Sequence, residues 1–472
     1  MKSECCLSLS LSCSNSPLLL LVYYSSRMNV YGEQKYSSYY THGSNVHCVR
    51  ACMNEDGHDV LAVGGESRLE VLHRDAASSS PEYTVIASFY IGSPITAIAW
   101  SSRSTSPSRA ASWFLELVVA SEDKCLRRLL RSSKQQERVK LFPGGLTGHH
   151  GRINDVCFCT SETYQNYVAS VGDDGFLVWN LYPRIYDESD KDDGDDVTHM
   201  RLDSDQESGD TEDEEIDQAL NADLRRQQTK VSMFYSIARM EGENAEARPV
   251  VIDDNEEPVR AFNYPIPFSH PLHSIASHPS SANQFMVSDT HGTVYIIDWT
   301  KLEEEKPEGW RGHRVVELVD PRALTDHSAW GGAASWKPDD INVIGATYGS
   351  HWCIWDTRKL HGGKPIATGM GQEHGGSRFR WSPINSNLFA ISSASPLAGP
   401  SIKVYRTQSL DTPKELNILP HPNQNRVRDF DWLGVTHPED SVRAWLAVAI
   451  GKRIYFVAAG DPMPVTPDGM DY

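Results

Sequence analysis

The 472-residue chain has no Cys-x-x-Cys pair and no Asn-x-Ser/Thr sequon, and its nine cysteines (5, 6, 13, 48, 52, 125, 157, 159 and 353) are an odd number. These absences exclude a zinc ribbon or finger and disfavour a secreted disulfide framework. Reduced, mostly buried thiols of the cytosol or nucleus are expected instead. Positive charge is also short: 44 basic residues face 63 acidic ones, a formal charge of -19. A protein that coats nucleic-acid phosphates or adsorbs to an anionic membrane needs a basic face, so neither direct nucleic-acid binding nor membrane adsorption is expected. No P-loop, HExxH, GxSxG or dinucleotide fingerprint occurs. The glycines of GMGQEHGG (369–376) are misspaced for a phosphate loop and no helix follows, so a turn is expected there. Most of the 18 histidines stand singly, before Pro or in Gly-His turns. No catalytic, cofactor or metal site is expected.

Long apolar runs are missing too. Leu18–Tyr24 falls far below the ~20 residues of a membrane span, so no transmembrane segment is expected. As a secretory signal the first 27 residues are weak, because Glu4 cancels Lys2, although Ser25 and Ser26 follow the apolar run. An unstructured extension before Met28 is the expectation, with a targeting signal as the alternative.

What the chain has in excess is acid, concentrated in one place. Residues 187–217 hold 16 Asp or Glu against Lys191 and Arg201, a net of -14, which leaves only -5 for the rest of the chain. So few apolar residues cannot offset the entropy of ordering, and a disordered, self-repelling insertion is expected. Its acids lack the alternate spacing of a calcium loop. Ser189, Ser204 and Thr211 each have an acid three residues on and are candidate phosphosites for acidophilic kinases. Beyond it, Val231–Ile237 is a candidate outer strand for the third or fourth blade. A basic stretch, Lys124–Lys140, holds seven Lys or Arg against Glu137 and is expected on the exposed face of a hairpin, with docking of an acidic partner or of the insertion as the alternative.

A length of about three ordinary domains suits a repeat architecture. The clearest unit is 148–180, GHHGRINDVCFCTSETYQNYVASVGDDGFLVWN. It runs from a Gly-His turn through three short strands to Trp179-Asn180, the pattern of a WD-repeat blade with Asn in place of the last Asp. His149, Ser170, Asp173 and Trp179 match the four members of the buried hydrogen-bond chain that such a blade carries. Weaker copies occupy 46–75, 95–130, 272–299, 329–359, 378–407 and 426–458; 329–359 carries a true Trp355-Asp356 and 378–407 has Tyr405 at the Trp position. Each alternates apolar and polar residues and is rich in Val, Ile, Trp and Tyr. A single blade cannot bury both its faces, and seven stacked in a ring can. The expected fold is all-β, a seven-bladed WD40 β-propeller with a disordered acidic insertion. Residues 1–44 form a mostly disordered N-terminal extension, 45–182 blades one to three, 183–230 the insertion, 231–460 blades four to seven, and 461–472 a flexible tail.

Five segments carry a more specific likeness: NVHCVRACMN…VLAVGG (45–65), AIAWS (97–101), GHHGRINDVCF…VASVGDDGFLVWNL (148–181), AASWKPDDINVIGATYGSHWCIWD (333–356) and FRWSPINSNLFAISS (379–393). In this order they resemble the small WD-repeat nucleoporins of the Y-shaped outer-ring complex, the 37-kDa-type family. The last two, GSHWCIWD followed by FRWS…NLFA, are not generic to WD proteins. The resemblance spans most of 45–458 and leaves out the extension and the insertion. It implies a non-enzymatic scaffold subunit of the nuclear pore complex at the nuclear envelope. Such a subunit binds a large helical scaffold nucleoporin and other outer-ring nucleoporins, and supports pore assembly, nucleocytoplasmic transport, protein transport and mRNA export. The rival reading rests on Trp355-Asp356-Thr357-Arg358, a WDxR box of the kind by which substrate receptors dock onto the cullin-4 ubiquitin ligase adaptor. A chromatin-binding propeller is a third reading, disfavoured by the missing basic face.

Overall fold

The computed structural model describes residues 38–74, 83–142, 148–161, 164–182, 260–261, 266, 268–281, 283–302, 311–322, 332–359, 363–419, 425–436 and 442–459. Among them lie seven four-stranded antiparallel sheets. Strand β1 (Ser38–Thr41) comes first in the chain but belongs to the last sheet. The first sheet is β2 to β5 (Cys48–Ala51, Val60–Gly64, Arg68–Arg74, Tyr83–Tyr90), and the second is β6 to β9 (Ile95–Trp100, Phe114–Ser121, Leu126–Ser132, Arg138–Leu141). The third is β10 to β13 (Ile153–Phe158, Tyr167–Gly172, Gly175–Asn180, Arg260–Ala261), and the fourth is β14 to β17 (Leu272–Ser277, Gln284–Asp289, Val294–Leu302, Arg311–Leu318). The fifth is β18 to β21 (Ala333–Lys337, Asp340–Tyr348, His351–Asp356, Ala367–Met370), and the sixth is β22 to β25 (Gly376–Trp381, Leu388–Ser393, Ser401–Arg406, Ser409–Asn417). The seventh joins β26 (Asp429–Thr436), β27 (Val442–Ile450) and β28 (Arg453–Ala458) to β1.

Outer strands β5, β9, β21 and β25 are less buried than the second strands β3, β7, β19 and β23 of their sheets. Val60–Gly64 of β3 and Leu388–Ser393 of β23 are buried throughout, whereas β25 is mostly exposed. A strand covered on both faces reads as a continuous apolar run, and only a half-covered strand shows the alternation. The apolar clusters show what does the covering. One joins Leu69 and Val71 of the first sheet to Ile98 and Leu117 of the second, and another joins Val49 and Leu61 of the first to Ala447 and Ile454 of the seventh. The remaining clusters fill the other five seams. Seven sheets therefore share seven inter-sheet cores, the condition for a closed ring. The fold is a seven-bladed WD40-like β-propeller, as the repeats led one to expect.

Two strands depart from expectation. Residues 38–41 were expected in the disordered extension. They form instead the outer strand of the seventh blade, with Ser38 opposite Phe456 and Thr41 opposite Arg453. The free edge of β28 accepts them, and Tyr40 Oη donates to Glu70 Oε2 of the first blade at 2.7 Å. The outer strand of the third blade is Arg260–Ala261, paired with Asn180 and Trp179. The candidate Val231–Ile237, the acidic run, residues 1–37 and the tail from 460 lie outside the described residues.

Candidate functional site

The first strands of the blades line the axis of the ring. They run parallel to one another, because matched positions bond in step: Asp429 Oδ2 accepts from Val49 N at 3.0 Å and Asp431 Oδ2 from Ala51 N at 3.0 Å. The same device recurs where Asp155 accepts from Ile275 N and Ser274 Oγ from Ala334 N. Two indoles reach the opposite way, Trp100 to the Arg50 carbonyl and Trp432 to the Arg380 carbonyl. Each bond lets a first strand, which has only one ladder partner in its own sheet, satisfy backbone groups from the neighbouring blade.

Toward the end of these strands the axis widens into a cavity of about 410 Å³. Its lining includes the small Ala99, Ala276 and Ala334 and the charged Arg50, Asp155, Arg378, Arg380 and Asp431. Asp429 organises the charges of blades one, six and seven. It lies 2.7 Å from Arg50 Nη1, 3.1 Å from Arg380 Nη2 and 3.6 Å from Arg378 Nε, and its side chain is 1% exposed. Arg380 Nη1 adds a pair to Asp431 at 2.7 Å. Burial alone would raise the Asp429 pKa, but the charges of Arg50, Arg380 and Arg378 outweigh it and hold the carboxyl down at about 2. The sequence held a signal for this cluster in SRFRW and RDFDW, where charges alternate with aromatics. A period of two turns Arg378, Arg380, Asp429 and Asp431 to the axis and Phe379, Trp381, Phe430 and Trp432 into the seams.

The buried hydrogen-bond chain of the third blade is present, with one member corrected. Trp179 Nε1 donates to Ser170 Oγ at 2.8 Å, Ser170 pairs with His149 Nε2 at 2.8 Å, and His149 Nδ1 meets Asp174 Oδ1 at 2.6 Å. The acid is Asp174, not Asp173. The turn between β11 and β12 is tight, with Gly172 paired directly to Gly175, and it carries the second aspartate under the histidine. Asp173 is exposed and accepts from Asn154 Nδ2 at 3.0 Å. Burial pushes the Asp174 pKa up and the bond from His149 pulls it further down, to about 2.

Trp355 is fully buried, and its indole donates to the Gly363 carbonyl at 2.9 Å. Arg358 of the WDxR box is half exposed. Its guanidinium is held by Asp356 at 2.8 Å and by Asp340 at 2.7 Å, within its own blade. The basic stretch also differs from expectation. Arg127 and Arg128 are both buried, paired with Asp123 and with the buried Glu116. Glu116 also accepts from Ser101 Oγ and Tyr182 Oη, and the Arg128 guanidinium stacks 4.1 Å over the Tyr182 ring. Ser189, Ser204 and Thr211 lie outside the described residues.

No family model matches the chain, and no curated protein matches it. The geometry therefore speaks for itself. Among the described residues no three His, Cys, Asp or Glu side chains converge as a metal site, and no helix is long and apolar enough to cross a membrane. Burial pushes the Cys48 and Cys52 thiols up to about 12 and Cys125 to about 11, and raises Cys157 and Cys353 well above the ordinary value. Such thiols stay protonated and are poor nucleophiles. The charged groups around Asp429 are engaged with one another and with backbone. The molecule has the β-propeller fold of a scaffold.

Proposed function

We propose that this scaffold is a nucleoporin of the Y-shaped outer ring of the nuclear pore complex. It binds the large helical scaffold nucleoporin of that complex, with other outer-ring subunits, and supports pore assembly, nucleocytoplasmic transport and mRNA export from the nuclear envelope. The observation that carries this reading is the order of the five family-like segments. They fall on blades one, two, three, five and six, each overlapping the first strand of its blade, so the likeness follows the architecture blade by blade.

Co-expression with the helical scaffold nucleoporin should give a stable complex that survives Arg358→Ala, and a tagged copy should outline the nuclear rim. Co-purification with the cullin-4 adaptor, lost on Arg358→Ala, would reverse the reading in favour of a ubiquitin-ligase receptor. The pairing of Arg358 with Asp356 and Asp340 weighs against that rival, because docking through this guanidinium would have to break two carboxylate contacts.

A further inference from the structure

The end of the axis where the first strands begin has a different character; of its residues named below, Arg378 also borders the cavity. His47, Arg152 and Arg428 each immediately precede the first strand of their blade, so the parallel strands bring them to one end of the ring. The ladders of β6, β10, β14 and β22 all slip at this same end, between Ile95 and Ala97, Ile153 and Asp155, Leu272 and Ser274, and Gly376 and Phe379. A bulge turns a side chain out of the ladder, and here the turned-out residues include His273 and Arg378. Bulges repeated at one end of four blades mark that end as shaped.

The charges there are unbalanced. Arg426 and Arg428 are exposed, and neither has a carboxylate within ion-pairing distance among the described residues. Arg152 is 57% exposed, with Glu122 no nearer than 3.9 Å. Among the described residues the carboxylate Arg378 reaches is Asp429, which Arg50 and Arg380 already occupy. Burial, and then the charge of Arg428, hold the His47 pKa below its ordinary value. Burial with Arg378 and Arg152 brings His273 down to about 3. Both rings are therefore neutral hydrogen-bonding groups set among arginines, and His47 Nε2 is buried with no partner. Glu66 and Glu122 also act on His47, but the four arginines outnumber them, a local excess of positive charge in a chain of charge -19.

We infer that this mouth, formed by Arg152, Arg378, Arg426 and Arg428 with His47 and His273, docks an acidic segment of a partner protein through several of its carboxylates. The donors come from blades one, three, four, six and seven. Spread around a ring, they suit a chain bearing separated Asp and Glu side chains better than one compact anion. Guanidinium forks pair with carboxylates in two-point geometry, and neutral imidazoles add donors without adding repulsion. The inference is independent of the outer-ring reading, whose tests do not involve these residues.

The test is fluorescence anisotropy of a labelled Asp/Glu-rich peptide of about 15 residues titrated with the full chain. Binding should weaken steeply with salt and be absent for the Asn/Gln counterpart. Arg152→Ala with Arg428→Ala should weaken it on the order of ten-fold, with an unchanged melting curve because both side chains are exposed, and the paired lysine variant should recover most of the loss. Equal binding by the double alanine variant or by the Asn/Gln peptide overturns the inference. So does pyrophosphate that binds more tightly than the peptide, since the site then takes a compact anion. Binding seen only after removal of 187–217 also overturns it, because the mouth is then filled by the protein's own acidic run.

Discussion

Asp429 and Arg50, 379 residues apart in the chain, meet at 2.7 Å across the seam between the seventh blade and the first. The same carboxylate oxygen accepts from Val49 N at 3.0 Å, so one side chain ties both the backbone and the guanidinium of the first blade to the last. A buried carboxylate shared by three arginines contributes little net stability as a group, but removing it strands three cations.

Asp429→Asn keeps the shape and removes the charge. It should destabilise the fold by about 3–5 kcal/mol, the usual effect of breaking a buried ion pair from one side. Urea unfolding followed by tryptophan fluorescence measures this. A loss below about 1 kcal/mol would mean that the axis is wetter and less coupled than its distances imply.

Acid should act through the same group. The Asp429 pKa lies at about 2 in the folded chain against the ordinary 3.8. A carboxylate with a depressed folded value stabilises above its unfolded pKa and loses that contribution as pH falls through the folded value. The window is therefore about pH 4 to 2, and about 2 kcal/mol should disappear across it. Melting temperatures of the wild type should fall through this window, and those of Asp429→Asn should fall less.

The third blade offers a discriminating pair. Asp174→Asn removes the charge under His149 and should cost about 1–3 kcal/mol, while Asp173→Asn should stay within about 0.5 kcal/mol. Ser170→Ala, which strands both the Trp179 and His149 nitrogens, should cost at least as much as Asp174→Asn. The reverse order for the two aspartates in thermal melts would return the role to Asp173.

Gly345 in β19 lies against the Phe379 and Trp381 rings of the next blade, and a Cβ there would overlap the Phe379 ring. Gly345→Ala should therefore cost about 1–3 kcal/mol by overpacking a seam. Phe379→Leu in the same chain should recover part of it, measured as a double-mutant cycle. No recovery would mean that the glycine is kept for backbone reasons instead.

The blade count was legible because it is written locally. Short apolar runs, Gly-Asp and Gly-Gly turns and terminal aromatics recur within each unit, and each feature needs only neighbouring residues to act. His149, Ser170 and Trp179 were legible for the same reason. Spacing favours Asp173 over Asp174, although Asp174 holds the histidine, because the two adjacent acids differ only in how a tight turn points them, and spacing does not encode direction. The basic stretch misled because net charge along a strand says nothing of its partners: Glu116, 12 residues from Arg128, buries it in a pair.

The residues by themselves determined the local terms: which segments pair as hairpins, how many such units there are, and where acid is too dense for a core. Closure was decided in three dimensions. The outer strand of the last blade is drawn from Ser38–Thr41, and the charges of Arg50, Arg380, Asp429 and Asp431 find one another only once the ring has closed. The physical reason is that hairpin formation depends on the turn and strand propensities of contiguous residues. A seam between chain ends depends instead on desolvation and shape, which exist only after every intervening blade is in place.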